Sequence, residues 1–191
     1  SHSKIGFSFI IGIISTIISY IIGVPIGIAM ARKKDKLVDK IGTFYIVFIL
    51  AVPSLAYIFL FKAIGGAVFN LPIVSLALPA AGGTMKWLRR YMIDQMNSDY
   101  VKFARSGGLT EKEIFTKHIF KNAVIPIVQG IPAAVLFAMT GAIITERVYV
   151  VPGAGNLLTE AINKYDNGVI VGVTLFYAVL TVVSLILGDV L

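Results

Sequence analysis

Cysteine is absent from these 191 residues, which excludes disulfides and thiolate metal sites. Charged residues are also scarce, at 14% of the sequence against about 25% in an average soluble domain. Because a helix needs roughly 20 apolar residues to cross a bilayer, long runs without charge predict an all-α, polytopic transmembrane helical bundle. About five such spans are predicted, at Ile5–Ala31, Ile41–Phe61, Ala63–Met85, Asn122–Thr145 and Asn167–Gly188.

Ionisable side chains of the kind that transfer protons or bind ions are missing from these runs. None of the runs contains Asp, Glu, Lys or Arg, the groups that form proton or ion relays in ion-coupled carriers. The sequence has no G-x-S-x-G, H-E-x-x-H or phosphate-loop motif, so no catalytic residue and no metal ligand is predicted. The two histidines, His2 and His118, lie in connectors predicted to be on opposite sides of the membrane, and His118 is expected to be a surface or packing residue. Transport against a gradient would therefore require another protein to hydrolyse ATP.

Most of the basic residues behind the net charge of +7 lie in two connectors. Arg32–Lys40 contains five basic residues and Lys86–Lys121 contains eight. The positive-inside rule puts both in the cytoplasm, which leaves the N-terminus and Glu146–Asp166 outside. The charge thus indicates membrane topology rather than nucleic-acid binding. Because the predicted N-terminus is external and no signal sequence precedes it, we expect that a first span is missing. A second missing segment, near residues 62–72, stays an open possibility.

Proline and glycine within the runs predict bends and close helix contacts. Proline removes a helical hydrogen bond and often kinks a span. Gly23 and Gly27 form a small-xxx-small pair that suits close approach of a second helix. The positions where we expect bending are Pro25, Pro53 and the segment 126–132.

Hydroxyl and amide side chains are the remaining candidates for lining a polar path through the membrane. Such groups either face water or bond the backbone of their own helix, and the sequence leaves both interpretations open. The candidates for pore lining are Tyr57, Gln129, Thr140 and Tyr177.

The connector between the third and fourth runs has helix signals of its own. Asp99–Ser106 follows good capping residues and precedes the helix-ending Gly107 and Gly108, which predicts a helix of about eight residues. Thr110 and Glu113 have the spacing of a capping box and predict a second helix. Such a pair either rests on anionic lipid or is presented to a cytoplasmic partner. A helix this short is marginal in water, so it needs a surface to pack on.

Residues 99–126 resemble the cytoplasmic loop of permease subunits from binding-protein-dependent ABC importers. The closest group is the oligopeptide/dipeptide permeases, which also includes nickel permeases. Its pattern begins D-Y-V-x-x-A-R-x-x-G-L and ends H-x-x-[KR]-N-A-x-I-P. The matching residues are Asp99, Tyr100, Val101, Ala104, Arg105, Gly108, Leu109, Ile114, His118, Lys121, Asn122, Ala123, Ile125 and Pro126. The acidic residue that opens the related EAA motif is absent, and Lys102 stands near its place.

A second segment resembles the external loop of the same group. The pattern there is E-x-[VI]-[FY]-x-x-P-G-x-G-x-L-L-x-x-A-I. The matching residues are Glu146, Val148, Tyr149, Pro152, Gly153, Gly155, Leu157, Leu158, Ala161 and Ile162. Residues 24–27 also resemble a V-P-[LI]-G run in the group's second span, so the resemblance covers nearly the whole chain.

This resemblance implies one type I ABC importer permease domain over residues 1–191, lacking a first span. It implies a coupling segment at 86–126 that contacts ATPases through Asp99, Tyr100, Phe103, Ala104, Arg105, Gly107, Gly108 and Leu109. It also implies an external loop at 146–166 that faces a binding protein through Glu146, Tyr149, Pro152, Gly153 and Gly155.

The implied function is that of half of an oligopeptide pore in a bacterial plasma membrane. The implied partners are membrane lipid, a second homologous permease, two cytoplasmic ATPase subunits and an extracytoplasmic substrate-binding protein. ATP and Mg would be bound by the ATPases, and this chain would bind no cofactor. The same mechanism with nickel or another small cargo is the first alternative. A passive channel or membrane scaffold is the alternative from another class.

Overall fold

The structure, a computed structural model, is helical throughout the parts of the chain that it describes. These are residues 4–65, 70–150 and 153–191, without the side chains of residues 4, 5, 139–143 and 154. The elements are α1 (Lys4–Arg32), α2 (Leu37–Ala51), α3 (Ser54–Gly65), α4 (Leu71–Met96), α5 (Asp99–Ser106), α6 (Glu111–Glu113), a π-helix (Ile114–Phe120), α7 (Lys121–Gln129), α8 (Ile131–Tyr149), α9 (Ala154–Asn163) and α10 (Asn167–Val190). The predicted all-α bundle is confirmed.

Two of the predicted runs differ from simple spans. Within the described residues, three helical segments have the length and composition to cross a membrane: Gly6–Arg32, Glu111–Ala138 and Asn167–Val190. A fourth arises if α2 and α3, which meet at 96°, count as one span. The count of five reduces to three or four because α4 continues from its apolar half into charged residues and because Pro53 breaks the second run. Val52 has the extended backbone, with ψ of 127°, that a following proline favours.

Helix α1 is the centre of the bundle and packs most extensively on α4. Gly23 and Gly27 lie at this contact, as predicted. A Cβ atom added at Gly23 would lie 2.9 Å from the Ala81 carbonyl oxygen, and one at Gly27 would lie 3.3 Å from the Met85 backbone. Glycine therefore lets the two helix backbones approach each other closely.

The two basic connectors lie at one end of this bundle. Arg32, at the end of α1, places its guanidinium 4.6 Å from the Phe115 ring centroid, which joins the two segments directly. At the opposite end of α1, Ser8 donates a hydrogen bond to Glu146. Ser8 and Arg32 are separated by roughly 24 residues, or about 36 Å of helix. This arrangement matches the sidedness that the charge distribution predicts.

An ion pair ties α2 to α4 at the end of the bundle that contains the basic connectors. The Arg89 guanidinium donates to both oxygens of Asp39, at 2.5 and 2.7 Å, and the Asp35 backbone N–H donates to the same carboxylate at 2.9 Å. The Asp39 side chain is only 4% exposed. These hydrogen bonds, those from Arg89 above all, hold the pKa of the Asp39 carboxyl below its ordinary value. Its stabilising contribution is therefore present at neutral pH and is lost as the pH falls through that lowered pKa.

We expect Arg89→Gln to lower the free energy of unfolding by about 3–5 kcal/mol, because the Asp39 carboxylate would remain buried without its partner. Arg90→Gln is the matched control. The Arg90 and Asp94 side chains lie 4.0 Å apart and are 64% and 63% exposed, and such pairs contribute only about 0–1 kcal/mol. Unfolding of the purified chain in mixed detergent micelles measures both changes. Equal losses in the two variants would contradict a buried ion pair.

Candidate functional site

The predicted short helix is present as α5, with both ends closed by backbone geometry. It spans Asp99–Ser106, and Ser98 precedes it in an extended conformation. Gly108 follows it with φ of +82°, a left-handed value that residues with a Cβ atom rarely adopt. The Leu109 N–H bonds the Ala104 carbonyl oxygen at 3.3 Å. The turn therefore reverses the chain within three residues.

One face of α5 is buried and the other is open. Val101 is fully buried and Ala104 is 8% exposed, whereas Phe103 is 81% exposed. Tyr100, between these extremes, is 39% exposed. The predicted contact residues are thus divided: Ala104 packs inside this chain, and Phe103 is the aromatic side chain that α5 offers outward.

The buried face belongs to a group of side chains that we call the cytoplasmic cluster. It joins α5 to α1, α4, the π-helix and α7, and so links this short helix to the long helices of the bundle. Its members are Ala31, Leu88, Met92, Val101, Ala104, Ile114, Ile119, Ala123 and Ile127.

The π-helix explains how the segment after α5 buries its apolar side chains. Ile114 and Ile119 are five residues apart and both buried, and Ala123 and Ile127 follow at spacings of four. In an α-helix a spacing of five would turn Ile119 well away from Ile114, but a π-helix bonds residue i to i+5 and aligns them. Ile114, Phe115, His118 and Ile119 are therefore the less exposed side of this segment, with π-helical rather than α-helical geometry.

Side chains fix the turn between α5 and the π-helix. The predicted capping box forms: Thr110 Oγ1 accepts from the Glu113 N–H at 3.3 Å, and Glu113 accepts from the Thr110 N–H at 3.1 Å. Across the turn, Arg105 Nε donates to Glu111 Oε1 at 2.6 Å.

The predicted external loop is organised around an inward-facing carboxylate. Glu146 is 1% exposed, and it accepts hydrogen bonds from the Ser8 hydroxyl and, at 2.9 Å, from the Gly155 N–H. Gly153 packs directly on the same carboxylate. Tyr149 is partly buried, and its hydroxyl bonds Ser75. The Glu146 side chain therefore makes its hydrogen bonds within the chain, and its place in a loop that faces a binding protein stays a prediction.

Contact between this loop and a binding protein stays a prediction, and Pro152 lies outside the described residues. Within those residues, no group of three or more His, Asp or Glu side chains could hold a metal ion.

Three of the four candidate pore residues lie on separate elements, namely α3, α7 and α10. Tyr57 is buried among Ile49 and Ile58, Gln129 is exposed at the end of α7, and Tyr177 lies on α10. The Thr140 side chain lies outside the described residues. The structure instead has a cavity of about 360 Å³ between α1, α4 and α8, whose hydroxyl-bearing lining residues are Ser15, Thr16, Ser19, Tyr20 and Thr84.

A family model for the inner membrane component of binding-protein-dependent transport systems matches residues 23–191, which include both segments described above. The chain belongs to this family.

Two relatives illustrate its place in the family. The oligopeptide transport system permease protein AmiC of Streptococcus pneumoniae is 39% identical over 204 residues, covering 98% of this chain and 41% of AmiC. The dipeptide transport system permease protein DppB of Lactococcus lactis subsp. cremoris is 30% identical, covering 98% of this chain and 67% of DppB. The chain therefore spans less than half of AmiC and about two thirds of DppB.

Solved structures of low identity share the fold. The crystal structure of an amino acid ABC transporter with histidines has a TM-score of 0.78 at 16% identity, covering 98% of this chain and 90% of that one. An inward facing structure of the MetNI methionine ABC transporter has a TM-score of 0.75 at 14% identity, covering 95% of this chain and 89% of that one. These similarities support the type I importer permease fold.

Three site residues had no usable signal in the sequence. Ser8 is one hydroxyl in a long apolar run, and its bond to Glu146 joins residues 138 positions apart. Gln95, near the end of α4, accepts a hydrogen bond from Tyr100. Asp39 lies in a charged connector, and nothing in that local sequence indicates its ion pair with Arg89.

We expect Gly153→Ala to destabilise the external turn, because the added methyl group would displace the Glu146 carboxylate from its hydrogen bonds. Loss of a buried hydrogen bond and a forced shift should together cost about 1–3 kcal/mol. Gly172→Ala on α10 is the control, since a Cβ atom there meets nothing within 4 Å. Thermal unfolding in detergent compares them, and an unchanged midpoint for Gly153→Ala would contradict this packing.

Proposed function

We propose that this chain is a membrane-spanning subunit of an ATP-driven importer and forms half of its translocation pore. In this proposal α5 docks on one of two cytoplasmic ATPase subunits, and a second homologous permease completes the pore. An extracytoplasmic binding protein delivers cargo at the end that contains Glu146. ATP and Mg are bound by the ATPases, and the assembly lies in a bacterial plasma membrane.

The observation that carries this proposal is the division of α5 into a buried and an open face. Eight residues provide too little helix to stand alone, yet Val101 and Ala104 anchor α5 in the cytoplasmic cluster. Phe103 is left 81% exposed at the end where the basic connectors meet. An exposed aromatic ring on a firmly held helix suits insertion into a pocket of a partner, where aromatic residues often supply much of the binding energy.

For the cargo, we propose oligopeptides, because relatives 39% and 30% identical to this chain are named oligopeptide and dipeptide permeases. The apolar runs contain no histidine, whereas a path for nickel would favour imidazole ligands. Uptake of a labelled hexapeptide and of nickel ions by proteoliposomes containing the whole assembly separates the two cargoes.

We expect Phe103→Arg to reduce co-purification of the ATPase subunits with the full-length permease by about tenfold or more, because the aromatic anchor would be replaced by a charge. Tyr165→Arg is the matched control. Tyr165 is 87% exposed but lies beyond α9, at the opposite end of the bundle.

The two variants give distinct outcomes. Loss of ATPases from Phe103→Arg alone supports docking at α5. Equal retention by both variants would move the docking surface elsewhere, and absence of ATPases even from the native protein would overturn the importer proposal in favour of a channel or scaffold.

A further inference from the structure

A single hydroxyl group connects α5 to three neighbouring elements. Tyr100 donates its O–H to the amide oxygen of Gln95 at the end of α4. The Tyr100 hydroxyl oxygen accepts a hydrogen bond from Asn122 Nδ2 on α7, at 3.1 Å. It also lies 3.3 Å from the carbonyl oxygen of His118 in the π-helix. We call these four residues the Tyr100 junction.

Further contacts hold the partners of this hydroxyl in place. Asn122 Nδ2 also donates to the His118 carbonyl oxygen at 2.8 Å, so one amide group bridges the two oxygen atoms. The rings of Tyr100 and His118 lie with centroids 6.3 Å apart at an angle of 45°. The junction therefore combines a ring contact with directional hydrogen bonds.

The hydrogen bonds and the apolar contacts of α5 restrict different movements. Burial of Val101 and Ala104 is non-directional, so it keeps α5 on the bundle but resists tilting only weakly. Hydrogen bonds weaken steeply when their angles change, and those of Tyr100 point to α4 on one side and to α7 on the other. The angle between α5 and α7 is thus restrained at this hydroxyl, in addition to the restraint that the Arg105–Glu111 pair places on the turn after α5.

From this geometry we infer that Tyr100 is a positioning residue that makes α5 and α7 move together. A displacement imposed on α5 by a cytoplasmic partner then reaches α7, and through it α8, rather than being absorbed by tilting of α5. The link from that displacement to ATP use rests on the proposed function. The fixed angle itself is a property of this chain alone.

Tyr100→Phe tests the inference because it keeps the ring against His118 and removes only the hydroxyl. In the permease, labels at Ser106→Cys and Lys121→Cys report the distance between the open end of α5 and the start of α7. These 191 residues contain no cysteine, so within them only these two sites are labelled. We expect the spin–spin distance distribution to broaden clearly in Tyr100→Phe and to stay unchanged in Tyr91→Phe, a tyrosine on α4 whose ring stacks on Trp87.

The second readout uses the assembled complex with both permeases, the ATPases and the binding protein in proteoliposomes. We expect Tyr100→Phe to consume about fivefold more ATP per labelled hexapeptide imported, the factor that one hydrogen bond of about 1 kcal/mol provides. Asn122→Ala should have a similar effect, and the double variant should be no worse than either single one, because both remove the same junction.

The outcomes separate this inference from the proposed function. An unchanged distance distribution in Tyr100→Phe overturns the junction, whatever the complex does. A broadened distribution with an unchanged ATP-to-peptide ratio keeps the fixed angle but overturns its role in coupling. A native complex that neither retains ATPases nor imports peptide overturns the proposed function, while the distance measurement still decides the junction.

Discussion

The cytoplasmic cluster is the packing on which the rest of this end of the molecule depends. An isolated helix of eight residues is marginal in water, because few backbone hydrogen bonds offset the entropy of ordering it. Burial of Val101 and Ala104 against side chains from α1, α4, the π-helix and α7 supplies the stabilisation that an isolated α5 would lack. The same burial leaves Phe103 outside, so the contact that stabilises the helix also determines which face a partner meets.

Helix α1 connects this cluster to the other end of the bundle. It contributes Ala31 to the cluster and Ser8 to the buried Glu146 carboxylate, and glycines between them bring it against α4. The two segments that identify the family therefore lie at opposite ends of one long helix pair. The α1 and α4 backbones are in close contact at Gly23 and Gly27, so this tightly packed pair connects the two segments.

Local signals in the sequence were sufficient to predict some of these structural features. Capping residues and glycines defined α5 and the Thr110–Glu113 box, and charge-free runs defined the helical bundle. The π-helix was not predictable, because helical periodicity assumes 3.6 residues per turn and Ile114 and Ile119 align only when one turn is wider. The inward direction of Glu146 was also hidden, since it depends on Ser8, far away in the sequence. Long-range pairs of this kind leave no spacing pattern to read.

The most direct test of the cluster is amide hydrogen exchange of the purified chain in detergent. If α5 is held as part of the bundle, its hydrogen-bonded amides from Lys102 to Ser106 can exchange only when the cluster opens. We expect their protection to lie within about tenfold of that measured for α7, because both open in the same event. Exchange of α5 at the rate of an unprotected peptide, with α4 and α7 still protected, would contradict the account.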